Sequence, residues 1–179
     1  MTTTAPHITP DMTMEQILEV VPAAQRALFQ RYHVGGCSSC GFQPTDTLAE
    51  VCKERNILDV QEVIVTIQRA HEVDQKVEIE PRTVKAWLDA GEDFSFIDVR
   101  TPQELELARI AQAEALDFQN PGKYMELPKE RRIVFTCRSG ARSLDVASYF
   151  IGHGFTHVHS MRGGILAWSE QVDPTIPRY

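Results

Sequence analysis

Ile133-Val134-Phe135-Thr136-Cys137-Arg138-Ser139-Gly140-Ala141-Arg142-Ser143 is an apolar run that stops at a cysteine and passes into a turn carrying a glycine and two arginines. The run is short and continuously apolar, which suits a strand buried on both faces. Leu144, Val146, Ala147 and Phe150 follow at helical spacing. Strand, tight turn and helix in that order are half of a parallel crossover unit, and the flanking sequence repeats it. Upstream, Val77-Glu78-Ile79 reads as a short strand, Pro81 to Ala90 as a helix and Phe94 to Val99 as a buried strand. A helix from Pro102 and a strand near Ala113 to Leu116 come next. Downstream, a helix after Arg142, a strand at His157 to Ser160 and a helix from Gly164 complete the alternation. Strands alternating with helices predict a doubly wound, mainly parallel sheet covered on both faces.

The first seventy residues keep a helical rhythm instead. Met14, Ile17, Leu18 and Val21 recur at i, i+3, i+4, i+7, and Thr13 with Gln16 fits a capping box. A second helix is expected from Pro22 to Gly35-Gly36. Thr47 and Glu50 form another capping box, with Leu48, Val51 and Cys52 on one face, and a last helix capped by Asp59 turns Val60, Val63, Ile64 and Ile67 inward. The charged stretch after His71 reads as a linker. The expected organisation is a tail at 1–10, a small helical domain at 11–70, a linker at 71–76, an α/β domain at 77–172 and a tail at 173–179.

Composition is that of an ordinary globular protein: 179 residues, 42% hydrophobic and 24% charged, with ten Gly and ten Pro. The 18 basic and 25 acidic residues leave a net charge of −7, concentrated in the helical part, which argues against a nucleic-acid partner. No run approaches the roughly 20 apolar residues of a membrane span. The N-terminal MTTTAPHITPDMT has neither the basic start and apolar stretch of a secretory signal nor the arginines of a transit peptide. Four cysteines, at 37, 40, 52 and 137, do not make a disulfide scaffold, so a reducing, cytoplasmic setting with chemically active thiols is expected.

Cys137 carries the strongest chemical signal. The carboxyl end of a parallel strand is where open α/β sheets bind ligands, and a turn leading into a helix aims backbone N–H groups and the helix dipole at an anion. That field, with Arg138 and Arg142 nearby, favours the thiolate, the nucleophilic form. The bland alternative is a small buried hydrophobe closing a strand, but two arginines and a glycine within five positions suit a pocket better than a core.

The loop, together with Ile97-Asp98-Val99-Arg100 followed by Glu104 and with Met161-Arg162-Gly163-Gly164-Ile165-Leu166-Ala167-Trp168, resembles a single-domain rhodanese, a thiosulfate-type sulfurtransferase, over about residues 76 to 172. The resemblance implies a five-stranded, doubly wound parallel sheet and a cysteine that carries sulfane sulfur as a persulfide. Cys137 matches the nucleophile and Arg142 the loop arginine that helps hold an anionic donor. Asp98, Arg100 and Trp168 match framework positions. Where many members read Gly-His-Ile-x-Gly-Ala, this chain has Ala108-Arg109-Ile110-Ala111-Gln112-Ala113, which alters a turn more than the chemistry. Cysteine phosphatases and arsenate reductases need an arginine six positions after the cysteine. Here it stands at five and Ser143 at six, a tighter loop suited to one sulfur atom.

A second cysteine cluster, His33, Cys37, Cys40 and Cys52, lacks the second paired spacing of familiar zinc sites, so no metal is expected. Cys52 fits a core position and His33 the last helical turn. Cys-x2-Cys spacing lets one thiolate attack the other's mixed disulfide or persulfide, making Cys37 and Cys40 candidate redox or sulfur-accepting residues. About residues 11 to 70 resemble a small helical family without an assigned activity, found alone or fused to redox and metal proteins. His153, His157, His159 and Arg162 are weaker candidates, with surface or packing roles as the default.

The sequence therefore predicts a cofactor-free sulfurtransferase with Cys137 as nucleophile and Arg138, Ser139, Gly140, Ala141, Arg142 and Ser143 around the substrate. A small anionic donor such as thiosulfate would load Cys137, and cyanide, a thiol or a protein cysteine would unload it. The rival reading is a redox-sensing or adaptor protein whose helical domain docks a protein partner while the rhodanese module carries sulfur.

Overall fold

The computed structural model describes residues 6–35 and 41–179, and divides the chain into two compact units, Met1–Gln75 and Lys76–Tyr179. The first is helical: α1 (Met14–Val20), α2 (Ala23–Tyr32), α3 (Leu48–Glu54) and α4 (Val60–Val77). Capping boxes at Thr13/Gln16 and Thr47/Glu50 start α1 and α3, each satisfying two backbone or side-chain donors otherwise left at a helix start. Asp59 accepts from the Glu62 N–H at 3.1 Å at the start of α4. Met14, Ile17, Leu28, Leu48, Val51, Val63 and Ile67 close the core between these helices.

Three expectations about this chain's edges are corrected. The second helix stops before Gly35: His33 takes a left-handed conformation at φ 55° and ends α2 after Tyr32. Residues 71–76 are not a linker but the last turns of α4, which meets no Gly or Pro from Val60 to Val77. Asp74, which reads as solvated, is buried and paired with Arg26. Residues 6–10 are packed rather than a free tail, with Ile8 buried and the Pro10 carbonyl accepting from Ala49 N–H at 2.9 Å.

The second unit alternates β1 (Glu78–Ile79), α5 (Pro81–Asp89), β2 (Ser95–Asp98), α6 (Pro102–Leu107), β3 (Glu114–Ala115), β4 (Ile133–Thr136), α7 (Ala141–Gly152), β5 (Val158–Met161) and α8 (Gly164–Gln171). The five strands form one sheet in the order β1-β5-β4-β2-β3, with every neighbouring pair parallel. Alternation sends Ile97, Ile133 and Phe135 to the face covered by α7, and Phe96 and Val134 to the face where Val84 of α5 and Ile165 and Trp168 of α8 pack. The 3-10 turn Pro121–Glu126, unsignalled by periodicity, buries Tyr124, whose hydroxyl accepts from Asp117 N–H at 2.9 Å.

Topology fixes where a ligand belongs. From β2 the chain goes outward to the edge strand β3, whereas from β4 it goes the other way to β5. The strand order thus reverses between the neighbours β2 and β4, and a crevice opens outside their carboxyl ends. Residues 99–104 leave one side of that crevice and residues 137–143 the other. The expected tail at 173–179 also closes in: Ser169 Oγ donates to the Ile176 carbonyl at 2.7 Å, and Ile176 and Tyr179 pack on the α5/α8 side.

Candidate active site

Cys137 follows β4 directly and is 1% exposed, while Arg138, Ser139, Ala141 and Arg142 face solvent. The turn brings the Gly140 N–H to 3.1 Å and the Ser143 hydroxyl to 3.4 Å from Cys137 Sγ. Both groups donate to sulfur, and such bonds strengthen when the acceptor is an anion. The Ser143 hydroxyl also lies 3.0 Å from the Gly140 carbonyl and 2.8 Å from Ser160 Oγ of β5. Ser143 and Ser160 are both fully buried, so this hydroxyl pair is a polar floor inside the fold.

The loop is held from outside as well. The Ile165 and Leu166 N–H groups at the start of α8 donate to the Cys137 and Arg138 carbonyls at 2.8 and 3.2 Å. This close approach depends on Gly164, where a Cβ would fall 2.3 Å from the Cys137 carbonyl oxygen. Helix α8 thereby fixes the backbone of the cysteine turn from a motif more than twenty residues away in sequence.

The loop arginines have defined partners. Arg142 makes two side-by-side bonds to Glu104 of α6, Nη1 to Oε2 at 2.7 Å and Nη2 to Oε1 at 2.5 Å. The guanidinium, opposed by some burial and helped by the Thr101 N–H and hydroxyl, pulls the Glu104 carboxyl down to about 2. Arg138 donates through Nε to a main-chain oxygen of Tyr179 at 2.8 Å. Beneath them Arg100 is fully buried and clasps Asp98 through Nε at 2.9 Å and Nη2 at 2.6 Å. It also donates to the Ala108 carbonyl at 3.0 Å and to the Tyr179 hydroxyl at 2.5 Å. The Ala108 turn, where the sequence departs from the usual motif, is thus anchored through its backbone.

Of the expected residues, the structure brings Gly140 and Ser143 onto Cys137, while Arg138, Ser139, Ala141 and Arg142 of the same turn are exposed. Arg162 is turned away from the loop onto Glu78 and Glu80. Cys37 and Cys40 lie outside the described residues. Cys52 is a core residue whose thiol burial pushes up, and no group of three metal-ligating side chains is gathered among the described residues. Three residues at the site escape the sequence reading: Glu104 as the partner of Arg142, Ser160 behind Ser143, and Tyr179 across Arg100 and Arg138. Glu104 entered the sequence analysis only as part of the family motif; in the structure it also closes a capping box with Thr101.

The family model for the rhodanese-like domain matches residues 80–171. The chain belongs to the rhodanese-like family. Its rhodanese-like part is 36% identical over 100 residues to a protein named sulfurtransferase from Allochromatium vinosum, covering 55% of this chain and 94% of that one. It is 33% identical over 88 residues to the thiosulfate sulfurtransferase GlpE of Pseudoalteromonas translucida, covering 49% of this chain and 84% of that one. A third relative, "Probable adenylyltransferase/sulfurtransferase MoeZ" of Mycobacterium tuberculosis, is 34% identical over 104 residues, which are 56% of this chain and 26% of that protein. This chain therefore spans only about a quarter of that larger relative. What these comparisons share with the chain is the rhodanese-like domain, in proteins named sulfurtransferases. No helix among the described residues is long and apolar enough to cross a membrane.

Proposed function

We propose that the rhodanese-like domain moves a sulfane sulfur from a small anionic donor such as thiosulfate to a thiophilic acceptor through a persulfide on Cys137. The observation that carries this reading is the sulfur at the β4 terminus with the Gly140 N–H at 3.1 Å and the Ser143 hydroxyl at 3.4 Å. Both donors are fixed before reaction, so they stabilise negative charge on sulfur without reorganising. In the loading step Cys137 thiolate attacks the outer sulfur of thiosulfate. A bond forms between the two sulfurs, the donor's S–S bond breaks, and sulfite leaves with the electron pair. In the unloading step cyanide, a thiol or a protein cysteine attacks the outer persulfide sulfur, and Cys137 leaves as thiolate.

This double displacement needs no cofactor. Initial rates with thiosulfate and cyanide should give parallel double-reciprocal lines. Cys137→Ser should abolish turnover while leaving the fold intact, and residual turnover above a few per cent would reject Cys137 as the carrier.

A further inference from the structure

Glu104 has more bonds than a helix cap requires. As the N3 residue of α6 its carboxylate accepts from the Thr101 N–H at 3.0 Å and from the Thr101 hydroxyl at 3.1 Å, which accounts for a glutamate here. The same carboxylate then reaches over the crevice between β2 and β4 and takes both terminal nitrogens of Arg142. Arg142 is the loop residue that would otherwise offer a bidentate fork to an incoming anion. Arg138 is engaged too, with Nε on a main-chain oxygen of Tyr179. The Arg142–Glu104 pair beside Cys137 carries no net charge.

We propose that Glu104 is a specificity-determining residue that neutralises Arg142 and so favours sulfur donors of low negative charge, thiol persulfides, over doubly charged thiosulfate. This rests on the reading of Cys137 as the sulfur carrier. A thiosulfate dianion must either displace a carboxylate already seated in two parallel bonds or approach a guanidinium whose attraction that carboxylate cancels. Protonation gives no relief, because Arg142 keeps Glu104 ionised at neutral pH. A persulfide R–S–SH meets less opposition. Its outer sulfur bonds to Cys137 Sγ, its S–S bond breaks, and R–S− leaves with the electron pair and takes up the proton. The size of the effect follows from Coulomb's law: in a water-like dielectric, one unit charge about 6 Å from the carboxylate is disfavoured about threefold and two about tenfold.

The test is the single-turnover rate at which the full chain gains sulfur on Cys137, followed by quenched-flow intact mass, with thiosulfate or cysteine persulfide as donor. Glu104→Gln keeps the shape and an oxygen for the cap while removing the charge. It should speed loading from thiosulfate about tenfold and from a singly charged persulfide about threefold, with the difference shrinking at high salt. Equal changes for the two donors, or none, overturn the proposal. Thr101→Ala weakens the cap without touching Arg142 and should keep the wild-type ratio. A ratio shifted as in Glu104→Gln would assign the effect to the helix start and overturn it as well. The wild-type protein gives a check that needs no variant to fold: a salt-induced fall in loading confined to thiosulfate would reveal an uncompensated positive pocket and refute the proposal. If wild-type Cys137 takes sulfur from neither donor, the carrier reading fails and this inference with it, whereas loading with an unmoved ratio defeats the inference alone.

Discussion

Replacing Gly164 with alanine should unlock the cysteine loop. At φ +56°, a Cβ there would stand 2.3 Å from the Cys137 carbonyl oxygen, 2.6 Å from the Arg138 carbonyl oxygen and 2.7 Å from the Arg138 carbonyl carbon. None of these is the tip of a flexible side chain, so relief requires α8 and the loop to part. That movement strains the bonds from the Ile165 and Leu166 N–H groups to the same carbonyls. The left-handed conformation costs an alanine about 1–2 kcal/mol. Overpacking adds about 1–3 kcal/mol, and each weakened hydrogen bond about 1 kcal/mol. A destabilisation of at least about 3 kcal/mol is expected, which at a urea m-value of about 2 kcal/mol/M lowers the midpoint by roughly 1.5 M. Gly91→Ala is the control, because φ is +67° there and a Cβ would meet nothing within 4 Å. It should cost only the conformational part, about 1–2 kcal/mol. Urea unfolding followed by tryptophan fluorescence reports the right unit, since Trp87 and Trp168 both lie in it. Equal losses for the two variants would refute the idea that α8 clamps the loop by close backbone approach.

Arg142→Ala should leave Glu104 without its counter-charge and slow loading from thiosulfate about tenfold more than from an uncharged donor; stopped-flow or mass-based loading rates would show it, and equal losses would indicate a collapsed loop. Asp98→Asn should strand the fully buried Arg100 guanidinium and cost about 3–5 kcal/mol in urea or thermal unfolding, whereas a loss under about 1 kcal/mol would deny the pair its structural role. Acid should expose the Glu104 contribution. Its carboxyl lies at about 2 in the folded state, below the ordinary 4.5, so the stability it adds is complete above pH 4.5 and disappears as pH falls towards about 2. The stability gap between wild type and Glu104→Gln should therefore narrow through that window, and a gap that stays constant would mean that the pair with Arg142 does not form in solution.

Local signals made the architecture readable. Thr13/Gln16 and Thr47/Glu50 announce their helices because capping boxes act over three residues. The apolar β2 and β4 are visible because central parallel strands are buried on both faces. Cys137 and the loop arginines were legible for the same reason, since nucleophile, turn and helix start are contiguous. What stayed hidden depends on partners distant in sequence. Residues 71–76 read as solvated because charge suggests exposure, yet Asp74 is buried against Arg26, forty-eight positions away. The site's supporting groups are of the same kind. Ser160 lies on another strand, Tyr179 at the far end of the sequence, and Glu104, noted only as part of the family motif, meets Arg142 thirty-eight positions away.

Sulfur loading on Cys137 is read from the mass of the full chain after incubation with thiosulfate, followed by proteolytic mapping. A single added sulfur, about 32 Da, should appear on the peptide bearing Cys137, disappear on addition of cyanide, and be missing in Cys137→Ser. Sulfur recovered on any other cysteine while Cys137 stays unmodified, or an adduct that survives in Cys137→Ser, would contradict the account.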